Sequence, residues 1–172
     1  FQSRVVSIAK HQDSSSMQRM YMWESSVEII KDYPIFGIGQ DQFVKAYNLT
    51  YILPEAVHSN DGNPLHGYGH PHNNVFKIAT EGGIVGLSAF FMLYGYIFLR
   101  LWKQYKEERT KLLVSYAMVG ILIWLGIQIE GLTDTNINQV PIMREYWLLM
   151  GMLFVATKIE LKKNVPIDKD GL

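Results

Sequence analysis

Two histidines one residue apart, His70 and His72, followed directly by Asn73 and Asn74, are the densest cluster of proton-handling side chains in this 172-residue sequence. An imidazole titrates near about 6.5 when unperturbed, so a neutral one can take the proton of an attacking hydroxyl. From Pro71 onward the pattern turns helical, with Val75, Phe76, Ile78 and Ala79 on an apolar face and Gly82-Gly83 closing the segment. Proline is accepted in a first helical turn. His72 and Asn73 therefore fall near a helix amino end, where free N–H groups and the positive end of the dipole favour an anion, phosphate above all. The same field helps to keep His72 neutral. A second helix is predicted from about Met17 to Lys31, capped by Ser14-Ser15-Ser16 and carrying Met20, Trp23, Val27 and Ile30 at helical spacing. Arg19 on that helix is a candidate clamp for phosphate oxygens.

Other readings of the same residues compete. Single histidines and arginines are commonly solvated or interfacial, and Trp23 with its neighbouring methionines also fits packing or a membrane-interface anchor. Gly37 and Gly39, in Pro34-Ile35-Phe36-Gly37-Ile38-Gly39, read as turn glycines. They lack the preceding strand and longer glycine pattern of a nucleotide loop. His58, His66, His70 and His72 raise the question of a metal. The proline between the last two, the lack of a carboxylate nearby and the absence of an HExxH pattern argue against one, so no metal and no cofactor is expected. With no cysteine, disulfides, zinc–thiolate centres and thiol nucleophiles are excluded.

The elements that must position these groups are set by how polarity is distributed. Net charge is zero and the hydrophobic fraction is 48%, an average that would suit a soluble domain. All five histidines, however, precede Gly83, and long runs almost free of charge follow it. Three membrane spans are expected, over about 83–102, 112–130 and 141–157, the last weakened by Arg144 and Glu145 at its entrance. Buried helices of a soluble core usually keep a polar stripe, which the first two spans hardly have. Basic residues gather between the first two spans (Arg100, Lys103, Lys106, Arg109, Lys111) and after the third (Lys158, Lys162, Lys163, Lys169). The connection 131–141 has no Lys or Arg. The positive-inside rule then makes both basic segments cytoplasmic, 158–172 being a cytoplasmic tail, and puts residues 1–82 on the outer face.

Within that outer segment, Asp32-Tyr33-Pro34 ends the first helix, a short helix is predicted over Gln42 to Leu49, and Pro54 to Gly69 reads as a loop able to fold over a ligand. The chain begins with Phe1 and shows no signal segment, although residues 1–82 must reach the far side. Earlier membrane helices are therefore expected, with this chain the carboxy-terminal part of a larger polytopic protein. There is no internal repeat, nucleic-acid motif or basic stripe. The fold class is all-α integral membrane, with three transmembrane helices and an extracytoplasmic helical loop domain.

Taken in order, Arg19, Trp23, Lys31-Asp32-Tyr33-Pro34-Ile35-Phe36-Gly37-Ile38-Gly39, His72-Asn73, nine residues, then Gly83-Ile84-Val85-Gly86, resembles the O-antigen ligase and polymerase superfamily. The resemblance runs on through Gly131-Leu132-Thr133-Asp134 and Tyr146-Trp147. It implies a metal-independent glycosyltransferase of the bacterial inner membrane that moves a glycan from an undecaprenyl-pyrophosphate carrier to a glycolipid, glycan or protein acceptor. Ligase, polymerase and protein glycosyltransferase share these motifs. His72 matches the family's proposed general base and Arg19 the arginine that engages pyrophosphate. His70, Asn73, Asn74 and Trp23 become candidates for substrate contact, and Gly37, Gly39, Gly83 and Gly86 for structural roles. A second family arginine has no convincing match, Arg4 being poorly placed, so the fragment alone is expected to be inactive. Gly83 and Gly86, on one helix face, would let a neighbouring helix or the carrier approach closely.

Overall fold

The computed structural model describes residues 2–56, 69–108 and 110–163, with side-chain surroundings from residue 16 onward. Most of the Pro54 to Gly69 loop, with His58 and His66, lies outside the described residues, as do the side chain of Arg4 and the whole tail after Lys163. The described residues form helices and no strands: α1 (Gln2–Asp32), α2 (Phe43–Ala46) running into a π-helical turn (Tyr47–Tyr51), α3 (Asn74–Glu107), α4 (Lys111–Thr133) and α5 (Val140–Lys163). The last three, of 34, 23 and 24 residues, are each long and apolar enough to cross a membrane, matching the three expected spans.

The first helix is longer than its sequence signals. Ser14-Ser15-Ser16, expected as an amino-terminal cap, lie inside α1. Serine costs only a few tenths of a kcal/mol in a helix interior, and nothing ahead of it breaks the chain. The helix ends where expected, Tyr33 still donating to the Ile29 carbonyl at 2.9 Å before Pro34 turns the backbone away.

By compactness the chain divides into two units, Phe1–Phe91 with Gly131–Thr135, and Met92–Glu130 with Asn136–Leu172. In the first, Met22 and Ile29 of α1 bury against Phe43 and Tyr47, whose rings stack 5.6 Å apart. Each fully buried apolar side chain of this size contributes about 1.5–3 kcal/mol. Ser25 Oγ donates to the Tyr51 carbonyl (2.7 Å), and the Tyr51 hydroxyl donates to Asp32 (2.6 Å). The π-helical turn is thereby tied back to α1 at two points.

The same unit explains the Pro34–Gly39 segment. The helix α3 is interrupted at Gly83, whose backbone (φ 58°, ψ −158°) is not helical. The carbonyls of Thr80 and Glu81, freed by the break, accept hydrogen bonds from the N–H groups of Ile38 (2.9 Å) and Gly39 (3.0 Å). On the other side of it, Ile84 and Val85 donate to the carbonyls of Pro34 (2.8 Å) and Ile35 (3.2 Å). The turn thus satisfies both helix ends that the break creates. A Cβ at Gly37, itself at φ 66°, would lie 2.5 Å from the Glu81 carbonyl carbon, and one at Gly83 would overlap the Ile35 carbonyl. The expected pairing of Gly83 with Gly86 on one helix face is therefore corrected. Gly83 is the break itself, and a Cβ at Gly86 would meet only Ile78, at an ordinary 3.7 Å.

Beneath the turn, Lys77 and Glu81 are both buried and paired at 2.6 Å, with Asp41 3.7 Å from the ammonium. Glu81 also accepts the Phe43 N–H at 3.1 Å, anchoring the start of α2.

In the second unit, Gln104 of α3 donates to the Leu113 carbonyl of α4 (2.8 Å) and to Thr157 of α5 (3.2 Å). Trp124 donates to the Tyr94 carbonyl at 2.9 Å, and the rings of Tyr94 and Tyr146 stack 5.9 Å apart. Met92, Leu122 and Leu148 are 71%, 62% and 61% exposed. So much apolar surface suits a hydrocarbon solvent.

Candidate functional site

His72 is held from three directions within the first unit. The preceding residue, Pro71, is buried and receives a 2.7 Å hydrogen bond on its carbonyl from the Trp23 indole, whose ring stacks on Phe76 at 5.7 Å. The following residue, Asn73, caps α3 in the manner its sequence position suggests: its Oδ1 accepts the N–H groups of Val75 (2.8 Å) and Phe76 (3.2 Å). The Asn73 side chain also donates to the Leu132 carbonyl (3.0 Å), and its N–H donates to Thr135 Oγ1 (3.1 Å). Asn74 packs on Gly131 so closely that a Cβ there would overlap its amide. These bonds sew the start of α3 to the turn that follows α4.

The seam delivers the third constraint. Asp134 Oδ1 lies 2.9 Å from His72 Nδ1 and 3.9 Å from His70 Nδ1, and the two imidazole rings are 4.3 Å apart. Burial by itself would push the Asp134 carboxyl up. The Thr135 N–H, the hydrogen bond to His72 and the fields of His72 and His70 outweigh burial and hold it below the ordinary carboxylate range. An ionised carboxylate can only accept, so Nδ1 of His72 carries the hydrogen of that contact, and in the neutral ring this leaves the lone pair on Nε2. His70 is pushed down, first by burial and then by His72 and Lys77, with Asp134 acting in the opposite sense. At 3.9 Å His70 forms no hydrogen bond with Asp134, and among the described residues its buried Nδ1 has no hydrogen-bond partner.

His72 itself sits at φ 49°, in the left-handed region. Non-glycine residues there cost of the order of 1–3 kcal/mol and persist where the surroundings over-determine them, as Pro71, Asn73 and Asp134 do here. Backbone strain at the residue of highest chemical interest fits an imidazole aimed by its framework.

Arg19 lies on α1 one turn before Trp23, at i and i+4, so the two share a helix face about 6 Å apart along the axis. Trp23 touches the His72 segment through Pro71, and Arg19 itself is half-buried. Among the described residues Arg19 has no ion-pair partner.

The expected site residues therefore divide. His70 and His72 come together, while Arg19 is linked to them only by lying one helical turn from Trp23, which bonds Pro71. Trp23, Asn73 and Asn74, expected to touch substrate, are instead spent on the protein: the indole on Pro71, Asn73 on the helix cap and Leu132, Asn74 on Gly131. They aim His72. The carboxylate thought to be lacking near the histidines is supplied by Asp134, 62 residues along the chain from His72. Its one sequence signal is that it is the only charged side chain in the 131–141 connection.

Three helices long and apolar enough to cross a membrane, joined to a helical segment that presents a carboxylate-bound imidazole, define an all-helical membrane protein. The chain belongs to the O-antigen ligase family, whose model matches residues 1–91. It is 28% identical over 158 residues to the "Putative polysaccharide ligase" of Rickettsia conorii, covering 90% of this chain and 34% of that protein. The like-named protein of Rickettsia prowazekii is 26% identical over the same length, at 90% and 35% coverage. The O-antigen ligase of Pseudomonas aeruginosa is 24% identical over 132 residues, covering 77% of this chain and 27% of its own. The chain thus spans about a third of the length of the curated relatives it matches.

Proposed function

We propose that this chain carries the acceptor-activating part of a surface-polysaccharide glycosyltransferase of the ligase type, working without a metal on an undecaprenyl-pyrophosphate-linked glycan. The reading is carried by the His72–Asp134 contact of 2.9 Å at the amino end of α3. The acceptor hydroxyl gives its proton to His72 Nε2 while its oxygen bonds to the anomeric carbon of the donor sugar. The bond from that carbon to the pyrophosphate oxygen breaks, and the electron pair leaves with the lipid diphosphate. Asp134 stabilises the imidazolium that forms. Arg19, with the helix amino end, offsets the charge gathering on the diphosphate, which is the task a metal would otherwise perform. Placement of hydroxyl and base in line supplies much of the remaining acceleration.

Residues 1–82 belong on the outer face of the bacterial inner membrane, with 83–157 spanning it and 158–172 in the cytoplasm, since the basic residues cluster in the 100–111 and 158–169 segments. Acceptors consistent with this chemistry are the sugar hydroxyls of a glycolipid, the end of a growing glycan, as in a polymerase, or a protein hydroxyl. The test is made in the full-length protein. His72→Ala and Arg19→Ala are each expected to abolish glycan transfer at normal protein level in the membrane, and normal transfer by either would reject the assignment. Surface-polysaccharide analysis of a deletion strain then separates the acceptors. Unattached chains point to a ligase, single repeat units to a polymerase and unglycosylated proteins to a protein transferase.

A further inference from the structure

His70, His72 and Asp134 offer three ligand atoms, two imidazole nitrogens and a carboxylate oxygen, all within 4.8 Å of one another. Around a tetrahedral zinc ion, with Zn–N and Zn–O bonds of about 2.0–2.2 Å, ligand atoms stand about 3.3 Å apart. The observed separations from Asp134 Oδ1, 2.9 Å to His72 Nδ1 and 3.9 Å to His70 Nδ1, bracket that value. Among the described residues the buried His70 Nδ1 has no hydrogen-bond partner, so it is open to act as a ligand to a cation. The three side chains are partly exposed, at 37%, 27% and 41%, so the cluster lies near the surface although Nδ1 of His70 itself is buried. Lys77, whose charge acts on His70, is paired with Glu81 at 2.6 Å.

We propose that this trio is an inhibitory site for a borderline divalent cation such as Zn2+, with the fourth position left to water. The inhibitory half rests on the catalytic reading above. In the metal-free state Nδ1 of His72 holds the hydrogen that points at Asp134. To coordinate the ion through Nδ1, the neutral ring must give up that hydrogen and take one up on Nε2 through solvent, with no net change in protons. The nitrogen that should receive the acceptor's proton is then already protonated, and the base is disarmed in the wrong tautomer. Histidine and carboxylate ligands select Zn2+ over Mg2+, which prefers oxygen ligands and an octahedral shell.

The experiment uses the full-length protein in nanodiscs, purified without a polyhistidine tag and stripped with a chelator. Co2+ titration is expected to develop the visible absorption of tetrahedral cobalt at one ion per chain, displaced by Zn2+. His70→Ala and His70→Gln are each expected to weaken that binding at least tenfold, in line with the effect of losing one ligand-shell contact. No cobalt band, or a band unchanged in a folded His70 variant, overturns the site. In the transfer assay, Zn2+ is expected to cut wild-type activity at least tenfold, with recovery on adding chelator and no effect of Mg2+. In the His70 variants the ratio of activity with and without Zn2+ should approach one, whatever their basal rate. Binding without inhibition, or transfer that requires Zn2+, overturns the inhibitory role. Cobalt binding in a protein with no transfer under any condition would instead leave the site standing and refute the glycosyltransferase reading.

Discussion

Nδ1 of His72 and Oδ1 of Asp134 lie 2.9 Å apart, joined by no element of their own but by the seam that Asn73 and Asn74 make with the turn after α4. The carboxylate holds Nδ1 as the donor and fixes the direction of the ring.

Replacing Asp134 with Asn should keep the shape but remove the charge and reverse the donor–acceptor preference at Nδ1. Where a carboxylate orients a catalytic imidazole, such a change costs up to about 10⁴-fold in kcat. We expect a loss of about 10²–10⁴-fold in glycan transfer by the full-length enzyme, with unchanged membrane abundance. A loss below tenfold would mean that Asp134 does not set the tautomer.

Trp23 holds Pro71 through a single 2.7 Å hydrogen bond and stacks on Phe76. Trp23→Phe retains the stacking and leaves the Pro71 carbonyl unsatisfied, a penalty of about 1–3 kcal/mol. As a positioning residue it should lower kcat while leaving KM for the lipid donor within about twofold. A rise in KM with kcat intact would restore the expectation that Trp23 contacts substrate.

Gly83 and Gly86 share a motif but should respond oppositely to alanine. At Gly83 the positive φ of 58° and the overlap with the Ile35 carbonyl both penalise a Cβ, whereas at Gly86 the added methyl meets only Ile78 at 3.7 Å. Left-handed strain alone is of the order of 1–3 kcal/mol, and the overlap adds to it. Thermal denaturation in detergent should show Gly83→Ala strongly destabilised or absent from the membrane. Gly86→Ala should melt within a few degrees of the parent.

The buried Lys77–Glu81 pair offers a test of how the Pro34–Gly39 turn is supported. Lys77→Met strands a carboxylate that still accepts the Phe43 N–H, and breaking one side of a buried pair costs about 3–5 kcal/mol. Adding Glu81→Gln removes the stranded charge and keeps an acceptor for Phe43. The double variant should therefore recover most of the lost stability in the same melting experiment. Additive losses would show that the pair carries no mutual dependence.

Much of the molecule was legible along the chain because the signals are local. Apolar runs of spanning length announced α3, α4 and α5, and His72 was placed near a helix amino end. Pro34, Gly37 and Gly39 marked a turn, and the positive φ values of 66° and 95° at the two glycines bear that out. What that turn does was not legible. Its N–H and carbonyl groups pair with a helix break more than forty residues later, and backbone hydrogen bonding across such a gap leaves no periodic trace in side-chain types. The start of α1 was misplaced for a related reason, since serine accepts a helix interior nearly as readily as it caps one.

By itself, then, the sequence determined a membrane-spanning helical chain, a histidine at a helix amino end and the glycines a tight backbone requires, because hydropathy, capping and φ preference act between near neighbours. Which side chains aim that histidine, and which carboxylate stands against it, was decided only when α4 returned its terminal turn to the start of α3. A single acidic residue in a polar connection looks the same whether it faces water or an imidazole. Only the folded backbone, by bringing Asp134 to within hydrogen-bonding distance of His72, distinguishes the two.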